Sequence, residues 1–238
     1  MPGPSMTLGD RLAEGHTPGR TSGLYWPTVL VGECGGCWAP RLSALGWGRM
    51  WIARRPVPYE NEPWGFDNGA FRYHLAGIPF DDAAFLRRLE RAHAVGVPYL
   101  AVLPDIVAAG PRSLKFSLDW MPQLPRDWPW FLAVQDGMTE EDVAPLLGRF
   151  AGLFLGGSTA FKGTAGAWCA LAHRYGRRFH YARAGTLAEL AHACEIGADS
   201  LDSSFPMWTK QRFDTFVRHW RDGDRRLRIP GLFETSSP

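Results

Sequence analysis

The chain has 238 residues, and its 45% of hydrophobic and 21% of charged residues are typical of a soluble globular protein with a sizeable core. The net charge of +2 creates no overall field that favours nucleic acid, so binding to DNA or RNA would depend on a local patch. Four cysteines are too few for a disulfide scaffold, and no leader or long apolar run indicates export or a membrane span, so we expect a cytoplasmic protein.

The first part of the chain shows little regular pattern. Residues 1–22 are rich in Gly, Pro, Ser and Thr and are expected to form a flexible arm, followed by a single domain over 23–238. Within that domain, Cys34 and Cys37 have the spacing of half a zinc site or of a redox pair. No second pair of that spacing follows, so a glycine-rich loop with two thiols is favoured over a metal site.

Eight candidate strands follow one another along the domain, at 24–31, 48–53, 64–67, 98–103, 130–134, 152–156, 178–182 and 199–202. Those between 98 and 202 are short and nearly continuously apolar, as buried parallel strands are. Between residues 27 and 63 several prolines interrupt the pattern, and long loops take the place of the first helices.

Capping residues mark the helices between the later strands. Asp81 or Asp82 begins a helix whose apolar residues fall on one face. The other boundary signals are Pro111 at a first helical position, Thr139 and Thr186 as N-caps, and Gly176 and Gly197 past helix ends. Alternating strands and helices predict an α/β fold, a (β/α)8 TIM barrel with an irregular N-terminal third and a basic C-terminal helix. The competing open sheet lacks its usual GxGxxG turn.

Polar residues or glycines stand at the ends of several strands, where the loops of a parallel barrel converge on one mouth. They are Asp67, Asp105, Gln135, Gly156, Gly157, Arg183 and Asp202. Together they suggest an enzyme that binds a polar planar molecule. Most also have an ordinary interpretation, such as an Asx-turn for Asp67, a helix N-cap for Asp202, and a cap, an exposed amide or a tight turn for Asp105, Gln135 and the glycines.

The same residue types suit a guanine-like ring. A partly buried carboxylate at Asp105 can accept the two neighbouring donors on one edge of such a ring. The amide of Gln135 can donate to a ring carbonyl. Because Gly156 and Gly157 have no side chains, a ring can lie against their backbone and accept from its N–H groups.

Five segments carry an ordered set of motifs, namely FDNGAF at 66–71, FLAVQDG at 131–137, GLFLGG at 152–157, FHYARAG at 179–185 and IGADSLDSSFP at 196–206. This set resembles the tRNA-guanine transglycosylases, whose barrels carry DSGGFQ, VQGG, GGL, YLMGVG and GxDxFDxxxP, and the resemblance covers residues 64–206. It implies that Asp202 is the nucleophile that attacks C1′ of a guanosine and that Asp67 is the general acid/base. It also implies that Asp105 and Gln135 recognise the base and that the loop Gly156–Gly157 contacts it.

Departures from the family pattern refine these expectations. DSGG is DNGA here, and Asp136 replaces a glycine of VQGG, which adds a charge near the base pocket. Ala182-Arg183 replaces Leu-Met, which alters the pocket rim or brings a cation near phosphate. The tRNA enzymes continue into a zinc subdomain with three Cys and one His, whereas this sequence runs about 36 residues past Asp202 without a Cys. The chain is therefore more similar to the compact, zinc-less relatives from phages and bacteria that insert 7-deazaguanine bases into DNA.

The preferred hypothesis is a transglycosylase that exchanges guanine in DNA for a 7-deazaguanine such as preQ0, with no cofactor or metal. The alternatives are a tRNA-acting enzyme, an idle barrel that binds nucleobase or nucleic acid, and an unrelated barrel lyase or phosphate-sugar enzyme with Gly156-Gly157 as a phosphate loop.

Trp47, Trp51 and Trp64 either stack on flanking bases or fill the fold. Basic residues near the end of the sequence either contact a DNA backbone or form a solvated helix face, and the candidates are Arg218, Arg221, Arg225 and Arg226.

Overall fold

The computed structural model describes residues 27–221 except 35, 53 and 60, so the predicted arm over 1–22 lies outside the described residues. Eight parallel strands form a closed barrel in chain order, and β1 closes it by pairing with β8. The strands are β1 Thr28–Gly32, β2 Gly48–Trp51, β3 Trp64–Phe66, β4 Leu100–Val102, β5 Trp130–Val134, β6 Gly152–Leu155, β7 Arg178–Tyr181 and β8 Ser200–Ser203. The predicted (β/α)8 TIM barrel is confirmed, and the open sheet is wrong because pairing of β1 with β8 leaves no edge.

All eight predicted strands are present, and β5 has the predicted bounds. The predicted start of β1 at 24 lies outside the described residues, and β4 has three residues where six were predicted. Pro98 and Pro104 flank that run and have no backbone N–H to donate to a neighbouring strand, which limits pairing at both ends.

Nine α-helices lie in the described part of the chain. They are α1 Ala39–Ser43, α2 Ala70–Ala76, α3 Asp82–His93, α4 Pro111–Trp120, α5 Glu140–Val143, α6 Thr159–Lys162, α7 Ala165–Arg174, α8 Leu187–Glu195 and α9 Lys210–Arg221. Asp81 caps α3 by accepting from the backbone N–H of Ala84 at 2.8 Å. Thr139 and Asp142 form the reciprocal capping box of α5, so the predicted start signals are confirmed.

The first third of the barrel is irregular, as predicted. Only a 3-10 turn at Gly36–Trp38 and the short α1 separate β1 from β2, and the described residues between β2 and β3 contain no helix. The backbone at the start of β2 approaches the loop before β3 closely. A side chain at Gly48 would lie 1.4 Å from the carbonyl oxygen of Pro63. Glycine is therefore required where β2 begins.

The barrel has a small apolar interior and a larger apolar layer between strands and helices. The interior cluster draws its buried members from strands alone, namely Leu30, Met50, Leu100, Val102, Phe131 and Ala133. Leu30 pairs in register with Asp202, and Phe154 beside this cluster pairs with His180. Because paired residues of a parallel sheet face the same side, Asp202 and His180 also point inward.

The tryptophans of the first third fill the fold. Trp47, Trp51 and Trp64 are at most 5% exposed, so the idea that they stack on flanking bases as open surfaces is wrong. Trp47 packs edge-on against Phe216 and Trp220 of α9, with ring centroids 5.4 and 5.3 Å away. These contacts hold the basic helix against the barrel. Across the described chain, every helix is too short or too polar to cross a membrane.

Candidate active site

The predicted site residues meet at the carboxyl ends of the strands. Asp67 directly follows β3, Gln135 follows β5 and Asp202 lies in β8. The others stand in the loops after β4, β6 and β7, namely Asp105, Gly156, Gly157 and Arg183. Six consecutive strands, β3 to β8, therefore bring these residues to one mouth.

Asp202 is held by two donors that bond to the same carboxylate oxygen. His180 Nε2 lies 2.9 Å from Oδ1, and the backbone N–H of Arg183 donates to Oδ1 at 3.1 Å. The His180 ring is fully buried, stacks on Phe154 at 4.8 Å and has its Nδ1 2.8 Å from Ser200 Oγ. Because a carboxylate only accepts, Nε2 is the donor in the contact with Asp202.

Asp67 occupies a very different environment on the other side of the mouth. Its Oδ1 accepts from the backbone N–H of Gly69 at 2.6 Å. Burial raises the pKa of Asp67 from 3.8 to about 6; the Gly69 bond opposes this, and the negative charge of Asp202 adds to it. Asp67 and Asp202 thus influence one another directly across the mouth.

The loop that carries Asp67 is supported from behind by Arg88 of α3. Its buried guanidinium donates to the carbonyl oxygens of Ile52, Asp67 and Asn68, the second at 3.2 Å. Those carbonyls belong to the loops after β2 and β3, so one side chain fixes both loops together. This arrangement keeps the position of Asp67 nearly constant.

Asp105 lies beside Asp67 and is almost completely buried. Its oxygens accept from Asn68 Nδ2 at 2.6 Å and from Gln135 Nε2 at 3.0 Å. Burial raises the pKa of Asp105 to about 6; hydrogen bonding to Asn68 lowers it, and the charge of Asp67 raises it. The mouth therefore contains two adjacent carboxyl groups that both hold protons more tightly than usual.

Gln135 is committed to contacts within the protein. Its Nε2 donates to Asp105 and, at 2.6 Å, to Ser113 Oγ, while its Oε1 accepts from the backbone N–H of Ala108 at 2.5 Å. With its side chain buried and both amide protons donated, the predicted contact with a ring carbonyl requires one of these bonds to exchange. Here Gln135 orients Asp105.

Arg183 spans the mouth. Its Nη2 donates to the carbonyl oxygen of Gly157 at 2.6 Å, and its guanidinium lies 4.3 Å above the ring of Phe71 in α2. The residue has φ +52°, a left-handed conformation that turns its backbone N–H toward Asp202. The side chain thus connects the loop after β6 with the helix after β3, and its charge lowers the pKa of both Asp67 and Asp105.

The loop Gly156–Gly157 is shaped by its neighbours. A side chain at Gly157, which has φ +77°, would lie 2.7 Å from Asp136 Oδ2. Asp136 itself accepts from the backbone N–H and hydroxyl of Ser158 at 2.7 and 2.6 Å. Its charge is therefore directed at the start of α6, which explains how an aspartate is accommodated in that motif.

Four contributors to the site had no predicted role: Asn68, Arg88, Ser113 and His180. His180 carries a signal in the sequence, because a histidine inside a buried strand needs a polar partner and Asp202 is a candidate on a later strand. Arg88 lies between Phe85 and Leu89 on the apolar face of α3, a position where a charge requires acceptors.

Of the predicted DNA-contacting arginines, only Arg218 has a described side chain. Arg218 is exposed on α9 and donates to Asp214 and Thr215 of the same helix. Arg221 ends α9 and its side chain is not described, while Arg225 and Arg226 lie outside the described residues. Cys34 and Cys37 are free thiols, and the described residues contain no cluster of three or more side chains suited to a metal ion.

No protein-family model matches the chain, and no curated protein matches it. A TIM barrel is common among enzymes but supports many unrelated reactions. Any assignment of activity therefore depends on the chemistry of the mouth itself.

Proposed function

We propose that the chain is a base-exchange transglycosylase that replaces guanine in DNA with a 7-deazaguanine base of the preQ0 type. One observation carries the proposal: two carboxyl groups in unlike surroundings, Asp67 and Asp202, share one mouth and interact electrostatically. A reaction with a covalent glycosyl intermediate needs this pair, one carboxylate to attack and one carboxyl group to move protons.

Asp202 is the proposed nucleophile. His180 and the Arg183 N–H both bond to Oδ1, so among the described residues Oδ2 has no donor directed at it and can attack. Attack on C1′ forms a glycosyl ester as the C1′–N9 bond breaks, and the electron pair of that bond stays on N9 of the departing guanine.

Asp67 is the proposed proton carrier. A carboxyl group with a pKa of about 6 is present in both forms near neutral pH, so it can give a proton to the departing base and take one from the next. In the return step Asp67 removes the N9 proton of the incoming base, N9 bonds to C1′, and the ester electron pair returns to Asp202. One glycosidic bond replaces another, so no external energy source is required.

The base-recognition role belongs to Asp105 in this proposal. Its carboxylate, oriented by Asn68 and Gln135, is suited to accept the paired N–H donors on the edge of guanine. Arg183 lies over Phe71 at the same mouth, and a bound base would have to share that space. Gly156 and Gly157 leave backbone exposed beside it.

DNA is the proposed polymer because the sequence resembles the compact members that act on DNA. A base inside a duplex has to be flipped out of the stack to reach a mouth of this kind. Arg218, Arg221, Arg225 and Arg226 are proposed to contact the backbone. A tRNA substrate and an idle nucleobase-binding barrel are the alternatives that the test must separate.

The test supplies the full chain with radiolabelled guanine and, in separate reactions, duplex DNA, single-stranded DNA or tRNA. We expect label to enter DNA, and denaturation during turnover should trap a DNA adduct that peptide mass spectrometry assigns to Asp202. Label in tRNA alone would identify tRNA as the substrate polymer in place of DNA. Guanine binding without label in any polymer would favour the idle barrel.

A further inference from the structure

We propose that a cavity beside the mouth binds the nucleotide next to the one that is exchanged; this inference rests on the proposed function. The cavity has a volume of about 350 Å³ and opens between the ends of β1 and β2. Its lining includes Cys34, Arg49, Trp51, Arg54, Arg55 and Tyr59. We name it the flanking cavity.

The flanking cavity adjoins the catalytic mouth through the backbone. The backbone N–H of Asp67 donates to the backbone carbonyl oxygen of Trp51 at 2.9 Å, so the backbones of a cavity residue and of the proposed proton carrier are neighbours. Arg88 also bonds to the carbonyls of Ile52 and Asp67 and fixes this contact. In this proposal, a DNA strand with one nucleotide at Asp67 places the adjacent nucleotide at the cavity.

The floor of the cavity is rigid. Arg49 is fully buried and forms a two-point ion pair with Glu62, with Nε to Oε1 and Nη2 to Oε2 both at 2.6 Å. Its guanidinium lies 4.8 Å from the ring centroid of Trp51 and 5.6 Å from that of Tyr59. Because Glu62 neutralises Arg49, the role of Arg49 is to hold the two aromatic rings in place.

The rim supplies positive charge. Arg54 and Arg55 are exposed, and the Arg54 guanidinium stays 3.9 Å from Glu33 with 76% of its side chain exposed. Loosely held guanidinium groups at such a rim can turn to a phosphate and bind it through two parallel hydrogen bonds.

The exposed ring of Tyr59 and the cationic rim match one ligand class. Aromatic side chains stack bases with little regard to sequence, and arginines bind the backbone phosphates. A volume of about 350 Å³ is also within the range of small-molecule sites. The ligand is therefore a nucleotide of single-stranded character, with its base against Tyr59 and its phosphate at Arg54 and Arg55.

The experiment measures binding of a fluorescent single-stranded DNA to three proteins at one salt concentration. We expect Arg54→Ala/Arg55→Ala to weaken binding about 10-fold relative to the parent chain. The matched control is Arg126→Ala/Arg149→Ala, which removes two exposed arginines at the opposite end of the barrel, one in the loop before β5 and one at the end of the 3-10 helix Ala144–Arg149 before β6. The control should change the dissociation constant less than about 2-fold, and an equal loss in both pairs would overturn the proposal.

A second comparison locates the base. An oligonucleotide that lacks the base beside the target guanine should bind the parent chain about 5-fold more weakly than intact DNA. Tyr59→Ala should bind both oligonucleotides equally, whereas Tyr59→Phe should retain the difference because the ring face remains. Equal binding of the two oligonucleotides by the parent chain contradicts the proposal.

Exchange of labelled guanine separates this inference from the proposed function. In the paired Arg54 and Arg55 variant, KM for DNA should rise about 10-fold while kcat stays constant, because neither residue lies at the reacting atoms. Normal exchange with an unchanged KM and dissociation constant would refute nucleotide binding at the flanking cavity and leave the proposed function standing. Binding that depends on these residues, without exchange in any polymer, would keep the cavity as a nucleotide site and refute the function.

Discussion

Two histidine–aspartate pairs stand at opposite ends of the β8 region, and their surroundings differ. At the amino end His173 Nε2 lies 2.9 Å from Asp199 Oδ2, and at the carboxyl end His180 Nε2 lies 2.9 Å from Asp202 Oδ1. The first Asp also accepts from the backbone N–H of Phe179 at 2.7 Å, which ties it to β7. The second faces the carboxyl groups of the mouth. We therefore assign a structural role to the pair at the amino end of the barrel and propose a chemical role for the pair at the carboxyl end.

The largest expected effect separates the two aspartates. Asp202→Asn should reduce guanine exchange about 1000-fold or more, because the amide is a poor nucleophile, while leaving thermal unfolding nearly unchanged. Asp199→Asn, the matched change at the other end, should retain exchange within about 3-fold and lower stability by about 1–2 kcal/mol through weakened contacts to His173 and Phe179. Initial-rate assays and thermal melts measure both. Normal exchange by Asp202→Asn would refute its role as nucleophile.

The two histidine variants should differ in kcat by less than the two aspartate variants do. Again, the variant at the carboxyl end of the barrel should lose more activity. His180→Gln should lower kcat about 30- to 100-fold with little change in KM for DNA, because Asp202 loses the ring that orients it. His173→Gln should leave kcat unchanged. Because His180 is proposed as a positioning residue, its variant should still yield the trapped adduct at Asp202, only more slowly. A rise in KM at constant kcat would instead assign His180 to binding.

The sequence predicted the carboxyl-end site better than its supports. Asp67, Gln135 and Gly156 are recognisable because each follows an apolar run that must end where a strand ends. His180 lies inside such a run, and its inward direction depends on the register of β7 with β6 and β8. That register comes from closure of the whole barrel and has no local signature.

Side-chain contacts that join separate elements and hold the site in place are harder still to predict. Arg88 lies 36 residues from Ile52, and the carbonyls it binds are ordinary backbone groups that no sequence pattern distinguishes. The flanking cavity depends on Arg49 and Glu62, which are 13 residues apart across a proline-rich loop without periodicity. The left-handed backbone of Arg183 is likewise a product of its contacts, because a non-glycine residue seldom adopts it alone.

The smallest effect concerns the stability cost of burying Asp67, the proposed proton carrier, at the mouth. Asp67 has a pKa of about 6 in the folded protein against 3.8 ordinarily, so the folded state binds its proton more tightly than the unfolded state. This lowers the free energy of unfolding as pH rises from about 4 to about 6, and the loss persists above that range. Asp67→Asn, which retains an oxygen for the Gly69 N–H, should therefore add about 1–2 kcal/mol at pH 8 and almost nothing at pH 4.

Asp136 provides the control of opposite sign for that measurement. Burial raises its pKa, but hydrogen bonds from the Ser158 hydroxyl and N–H outweigh burial and lower it below 3.8. An aspartate of this kind stabilises the fold above its unfolded pKa and loses that contribution as pH falls, so Asp136→Asn should destabilise at pH 8 and have less effect at low pH. Urea titrations of both variants at pH 4 and pH 8 test the pair. If Asp67→Asn also destabilised the fold at pH 8, Asp67 would be a structural carboxylate like Asp199. The carboxyl group after β3 would then not differ from the structural aspartate at the amino end of the barrel.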